Sequence, residues 1–366
     1  MARSIKRFTS LHCNQSVMAI DQSQSSQTPN HVIDYPARDM TITVAAEITV
    51  GELQRVLASE NQQLPIDPAC EEMTISDMVA FDDSGPRQYG YGTLRDYVIG
   101  IEACDGKGRV FHAGGRVVKN VAGYDLCRLL IGAEGKLGTL RKLTFKLKPL
   151  PLEQHLSLAA FRTLGDLESA LNRINLSSTT PQILDVVNSR AASSILTAID
   201  SSLTPEKPAA AEAFLVLGFD GTRKACDWQT RTIAEELHGA AVSVTSIATP
   251  HAVVNYCRAA MHFSMFGRSE KDGWWMRVVV PPSRVVTVLQ IAQAAGLSAC
   301  GRAGNGIVYL HMDTMSGAEK IRDEVTQLLT GSAGHYEIRD GNSVVRYPEK
   351  SLPVERYVRL LTELLG

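Results

Sequence analysis

The stretch GGRVVKNVAGYDLCRLLIGAEGKLGTL, residues 114–140, sets glycines at 114, 115, 123, 132, 135 and 138 among mixed charges. Glycine loses more conformational freedom on folding than any other residue. A cluster this dense is kept where backbone must turn tightly or approach something closely. The spacing rules out two phosphate-binding loops. The Walker pattern fails because Gly135-Lys136 is followed by Leu137, and Gly106-Lys107 by Gly108, where Ser or Thr is needed. The dinucleotide fingerprint fails because GAEGKLG reads G-x-x-G-x-x-G and follows a helical pattern instead of opening one. A third reading stays open: a flavin type of site, in which backbone N–H groups from several loops cradle a pyrophosphate.

The 366 residues suffice for two domains, each with its own core. In the first half, TITVAAEI (41–48) reads as a strand, and Thr49 with Glu52 forms a capping box opening a helix over about 50–60 with Leu53, Val56 and Leu57 on one face. YVIGIEAC (97–104), a turn at Asp105-Gly106 and RVFHA (109–113) form a hairpin. YDLCRLLIG (124–132) reads as a short helix. LTFKLK (143–148) alternates, with Leu143, Phe145 and Leu147 inward. Pro149 and Pro151 break the pattern, and the domain boundary is placed at 150. Beyond it the pattern predicts strands over 155–161, 182–187, 212–219, 240–247, 274–280, 306–312 and 336–347. Helices are predicted over 163–175, 188–199, 222–238, 250–260, 283–295 and 316–329. The fold class is α+β: an α/β domain at 31–150, then an α+β domain at 151–366 built on an antiparallel sheet with helices on one face. Residues 1–30 are polar at 21–31 and read as a mobile lead-in.

The formal net charge of −2 gives no basic field for nucleic acid. The seven cysteines stand singly with no C-x-x-C pair, so no zinc ribbon or iron–sulfur site is written here, and a reducing compartment is expected. No stretch approaches the roughly 20 apolar residues of a membrane span. No secretory signal is read at the N-terminus, so the expected location is cytoplasmic.

HVIDYPARDMTITVAAEITVGELQRVLASENQQLPIDP, SGPRQYGYGTLRDYVIGIEA, the glycine-rich block and GRAGNGIVYLHM together resemble the FAD-binding E subunit of bacterial glycolate oxidase. That group belongs to the vanillyl-alcohol oxidase/PCMH-type flavoprotein superfamily. The resemblance implies a PCMH-type FAD-binding domain, incomplete at its start, followed by a cap domain, with FAD as cofactor. It also implies a complex with a sister FAD-containing catalytic subunit and an iron–sulfur subunit, acting on a small 2-hydroxy acid such as glycolate. Through those partners the complex can lie peripherally at the inner membrane. Carried over by position, the flavin contacts are Thr74, Ile75, Ser84 and Gly85; Tyr91, Gly92 and Asp96; Lys119, Asn120, Tyr124 and Asp125; and Gly135, Gly138, Thr139 and Leu140.

Two departures from the family pattern keep an alternative open, and a third bears on metal binding. Residues 1–30 hold no glycine, where the family has a glycine-rich loop. TISDMVAFD puts Ser76 and Asp77 where glycines are usual and Asp82 where Asn is usual. Arg302 and Asn305 stand where catalytic relatives carry metal-binding His and Asp, so no metal is expected. The alternative is a flavin-free structural or assembly subunit of the same complex. Plainer readings stand beside the sharp ones: Lys119 as a solvated cation, Asp125 as a helix cap, Tyr91 and Tyr124 as packing residues, Arg302 as an exposed loop residue and His311 as structural.

Overall fold

The computed structural model describes residues 31–68, 70–82, 84–115, 125–200, 211–249, 251–265, 274–312, 315–330, 334–339 and 344–347. The chain divides into two compact units. Among the described residues the first holds 31–84 and 92–150, and the second holds 85–91 and 151–347.

The first unit is organised by an antiparallel sheet. Its strands are β1 (Val32–Asp34), β2 (Thr41–Ala45), β4 (Val98–Cys104), β5 (Val110–Gly114) and β6 (Thr139–Lys146), in the order β1-β2-β6-β4-β5. A two-residue pair, β3 (Gln62–Gln63) with β7 (Lys148–Pro149), lies apart from it. The alternation read in 143–148 holds, with Leu143 and Phe145 fully buried and facing Val44 and Ile42 across the β2–β6 ladder. Helix α1 (Val50–Ser59) begins at the expected capping box. The Thr49 hydroxyl accepts from Glu52 N–H at 3.2 Å, and the Glu52 carboxylate accepts from Thr49 N–H at 3.1 Å. That second bond holds the Glu52 carboxyl below the usual carboxylate range. Helices α2 (Ile75–Phe81), α4 (Leu94–Tyr97) and α5 (Leu126–Leu130) complete this unit, while the short α3 (Gln88–Tyr91) falls in the other.

The second unit is built on a nine-stranded antiparallel sheet among the described residues, in the order β11-β8-β10-β9-β13-β14-β12-β15-β16. Its strands are β8 (Glu153–Phe161), β9 (Ile183–Asn188), β10 (Ala213–Gly221), β11 (Ser243–Ile247), β12 (Trp274–Val279), β13 (Ser298–Arg302), β14 (Ile307–Met312), β15 (His335–Arg339) and β16 (Val344–Tyr347). Helices are α6 (Leu164–Ile174), α7 (Ser189–Ile199), α8 (Arg223–Glu236), α9 (Ala252–Met265), α10 (Val285–Ala294) and α11 (Met315–Leu329).

Three expectations are corrected here. Helices cover both faces of this sheet, not one: α6, α8, α10 and α11 pack on Phe161, Leu215 and Val308, whereas α7 and α9 pack on Leu158, Val216 and Tyr309. The central strands are accordingly apolar at successive residues, as in Ala213–Phe219, where one-sided burial would alternate. SACGR (298–302) is a strand that its small residues conceal from propensity. The long predicted strand at 336–347 is the hairpin β15–β16.

Candidate functional site

Three of the segments singled out in the sequence converge in the first unit. The C-terminal end of α2 stops at Asp82, which adopts a left-handed conformation (φ 51°). Its carboxylate accepts from Arg95 Nε at 3.0 Å. Arg95 also donates through Nη2 to the Ile131 carbonyl at 3.4 Å. Gly132 N–H and Glu134 N–H donate to the Val79 and Ala80 carbonyls, both at 3.0 Å. The Ser84 hydroxyl accepts from Leu94 N–H at 3.0 Å. TISDMVAFD, YGTLRD and IGAEGKLG are thus tied into one cluster through Arg95. Arg95 was not among the candidates, although a cation inside YGTLRD facing an acid at 82 is the charge pairing that marks it.

Within this cluster the glycines serve different ends. Gly92 has φ +92°, and a Cβ there would meet the Asp96 carboxylate at 2.6 Å. That carboxylate closes the local turn by accepting from Thr93 N–H at 2.8 Å. Gly138 lies against the Cys104 carbonyl, which a Cβ would meet at 2.9 Å, and Thr139 and Leu140 continue into β6 opposite Cys104 and Ala103. These features build the sheet. Gly135 differs: it is left-handed (φ +72°) with nothing within 4 Å of a built Cβ. It is an open turn where an anionic group can approach bare backbone.

The start of α2 offers no such approach. Thr74 caps the helix, accepting from Asp77 N–H at 3.1 Å and donating its hydroxyl proton to Asp77 Oδ2 at 2.7 Å. Ile75 N–H donates to the Ile48 carbonyl and Ser76 N–H to the Ala46 carbonyl, both at 2.9 Å. Met78 N–H donates to the Thr74 carbonyl. Every donor of this first turn is taken, and a carboxylate stands beside them, so it does not fit a pyrophosphate.

The remaining candidates fall elsewhere. Asp125 caps α5, accepting from Arg128 N–H at 3.1 Å and pairing with Arg128 Nε at 3.2 Å. Gly85 and Tyr91 belong to the second unit, where the Tyr91 hydroxyl donates to Asp220 Oδ2 at 2.7 Å. Lys119, Asn120 and Tyr124 lie outside the described residues.

In the second unit Arg302 is not an exposed loop residue. It ends β13 and is 1% exposed. Its Nη1 donates to Asp185 Oδ2 at 2.7 Å, the oxygen that also accepts from the Tyr256 hydroxyl at 2.6 Å. The guanidinium lies 5.5 Å from the Tyr309 ring centroid, and its Nε makes no hydrogen bond among the described residues. Burial pushes the neighbouring Cys300 thiol up to about 12, which keeps it protonated and unreactive at neutral pH. The sequence signal for this network is Asp185 itself, a carboxylate set between the apolar pairs Ile183-Leu184 and Val186-Val187. Among the described residues no group of three or more His, Cys, Asp or Glu is arranged to hold a metal ion, and no helix is long and apolar enough to cross a membrane.

An FAD binding domain family matches residues 14–114. The chain is 28% identical over 291 residues to glycolate oxidase subunit GlcD of Bacillus subtilis, covering 76% of this chain and 61% of that one. It is 38% identical over 122 residues to glycolate oxidase subunit GlcE of Escherichia coli, covering 33% of this chain and 35% of that one. A D-lactate dehydrogenase of Archaeoglobus fulgidus is 31% identical over 134 residues, covering 37% of this chain and 30% of that one. The chain therefore spans less than two thirds of the length of each of these relatives. The fold is that of alkyldihydroxyacetonephosphate synthase, with a TM-score of 0.65 at 18% identity, covering 92% of this chain and 65% of that structure. The matched domain and the relatives support FAD as the cofactor of this chain, and the likeness to the solved structure shows the fold.

Proposed function

We propose that this chain is the FAD-binding subunit of a glycolate oxidase-like complex that oxidises small 2-hydroxy acids. The reading is supported above all by the convergence of residues 79–84, 92–96 and 131–135 around Arg95, with the open left-handed turn at Gly135 beside it. In this reading Gly135 lets an anionic part of the cofactor reach the backbone. Arg95 holds the cluster together through Nε and Nη2. Ser84, Gly92, Asp96, Gly138, Thr139 and Leu140 shape the surrounding backbone. Bound FAD supplies two-electron oxidation, while the protein supplies position and charge. The partners in this reading are a sister flavoprotein subunit and an iron–sulfur subunit, which take on substrate oxidation and onward electron transfer.

A second reading, a flavin-free assembly subunit, is favoured by one observation: the first turn of α2 is satisfied internally and carries Asp77. The visible absorption spectrum of the purified full-length chain separates the two. The first reading expects a near-stoichiometric flavin spectrum, released as FAD on heating or acquired on adding FAD. A colourless chain that takes up no FAD overturns it and leaves the assembly role.

A further inference from the structure

The second unit carries a surface that its own fold leaves unmatched. Helix α8 presents Arg223, Lys224, Trp228 and Arg231 to solvent, and Trp228 is 42% exposed. Among the described residues none of these three cations pairs with a carboxylate. The carboxylate within the strip, Asp227, lies 3.8 Å from Nδ1 of the buried His155. Arg223 and Lys224 sit in the first turn, where the helix dipole disfavours positive charge, so the helix itself gains nothing from their sign. Leu152 adds to the same end of the unit. It precedes Glu153, whose ladder partner Gly221 lies just before the α8 cap, and it is 81% exposed. An exposed Trp ringed by Arg is the composition that dominates binding energy in protein interfaces. Three unpaired cations in a chain of net charge −2 call for a partner of the opposite sign.

We propose that the α8 face around Trp228 docks an acidic, apolar-centred surface on a partner subunit of the complex. This rests on the subunit reading given under Proposed function. Trp228 supplies the desolvated centre, and Arg223, Lys224 and Arg231 steer and orient the partner.

The test co-expresses the tagged full-length chain with the flavoprotein and iron–sulfur subunits of a glycolate oxidase operon and measures complex recovery across a salt series. The variants are Trp228→Ala and the double reversal Lys224→Glu/Arg231→Glu. Thermal melting checks that both fold as the parent does. The expected result is a parent complex that weakens with salt, a loss of affinity of at least tenfold in each variant, and a flatter salt dependence in the double reversal. Parent and variants recovering the complex equally would overturn the docking face and leave the subunit reading standing. A parent that recovers neither subunit overturns both. If a mixed-sequence oligonucleotide displaces the partner from the parent and binds through Trp228, the face belongs to nucleic acid and the proposal fails.

Discussion

Arg302 and Asp185 set two opposite charges, each 1% exposed, into an apolar layer between the sheet and helices α7 and α9. Such a pair contributes little net stability, since desolvation offsets most of the attraction, but removing one partner strands the other charge. Asp185→Ala is expected to lower unfolding free energy by about 3–5 kcal/mol, whereas replacing both residues with apolar ones of similar volume stays near neutral. Guanidinium denaturation of the two variants side by side checks this, and an Asp185→Ala chain as stable as the parent would refute the network. The same residues mark where sequence reading stopped. The glycines of GRAGNG suggest a turn, yet Arg302 is the last residue of a strand. That strand, SACGR, lacks the branched and aromatic residues that announce β structure. The burial of Arg302 depends on Asp185, distant in sequence and adjacent only through the β9–β13 ladder.

At the level of elements, the alternating strand at 143–148 and the helices of the second unit were legible because periodicity records burial directly. The two-faced sheet was not read, since continuous apolar strands imply burial on both sides without saying what covers each side. The candidate site was legible in its segments but not in its wiring. The glycines of GAEGKLG announced turns, yet whether each turn packs on a strand, as at Gly138, or stays open, as at Gly135, depends on what tertiary structure brings against it. Charge also ties strands together. Glu102 on β4 accepts from Lys142 on β6 at 2.7 Å and lies 3.1 Å from His112 on β5. The Lys142 hydrogen bond leads the effects that hold its carboxyl below the usual range. Because the folded group is the stronger acid, its contribution is full above the unfolded carboxylate value near 4.5 and is lost as pH falls through the lower folded value. Stability of the first unit should therefore decline more steeply below about pH 4.5 in the parent than in Glu102→Gln, measured by denaturant midpoints across pH. Parallel pH profiles would show that the carboxylate does not tie the strands.

Across the whole molecule the two units are not two consecutive lengths of chain. The segment Gly85–Tyr91 leaves the first unit, joins the second and returns at Gly92. It is fitted closely there: Gly90 N–H donates to the Gln182 carbonyl at 3.1 Å, a Cβ on Gly90 would lie 2.6 Å from Gln182 Cα, and a Cβ on Gly304 would collide with the Tyr89 ring. Tyr91→Phe removes the donor to Asp220, a carboxylate that also accepts from Gln154. The second unit should lose about 1.5–3 kcal/mol while the first is unaffected, which hydrogen exchange resolved by unit can measure. Equal protection in parent and variant would count against the segment as a structural part of the second unit.

This interleaving imposes an order on biogenesis. Residues 85–91 emerge from the ribosome with the first unit, but Gln182, Asp220 and Gly304 are made long afterwards. At ordinary elongation rates the interval up to Gly304 is on the order of ten to forty seconds. Tyr91 waits for Asp220 and Tyr89 for Gly304, so each ring lacks its native neighbour until that part of the chain is made. The nascent chain must hold an unfinished strap open while the larger sheet is made, and a chaperone that shields exposed aromatics has its natural period of action there.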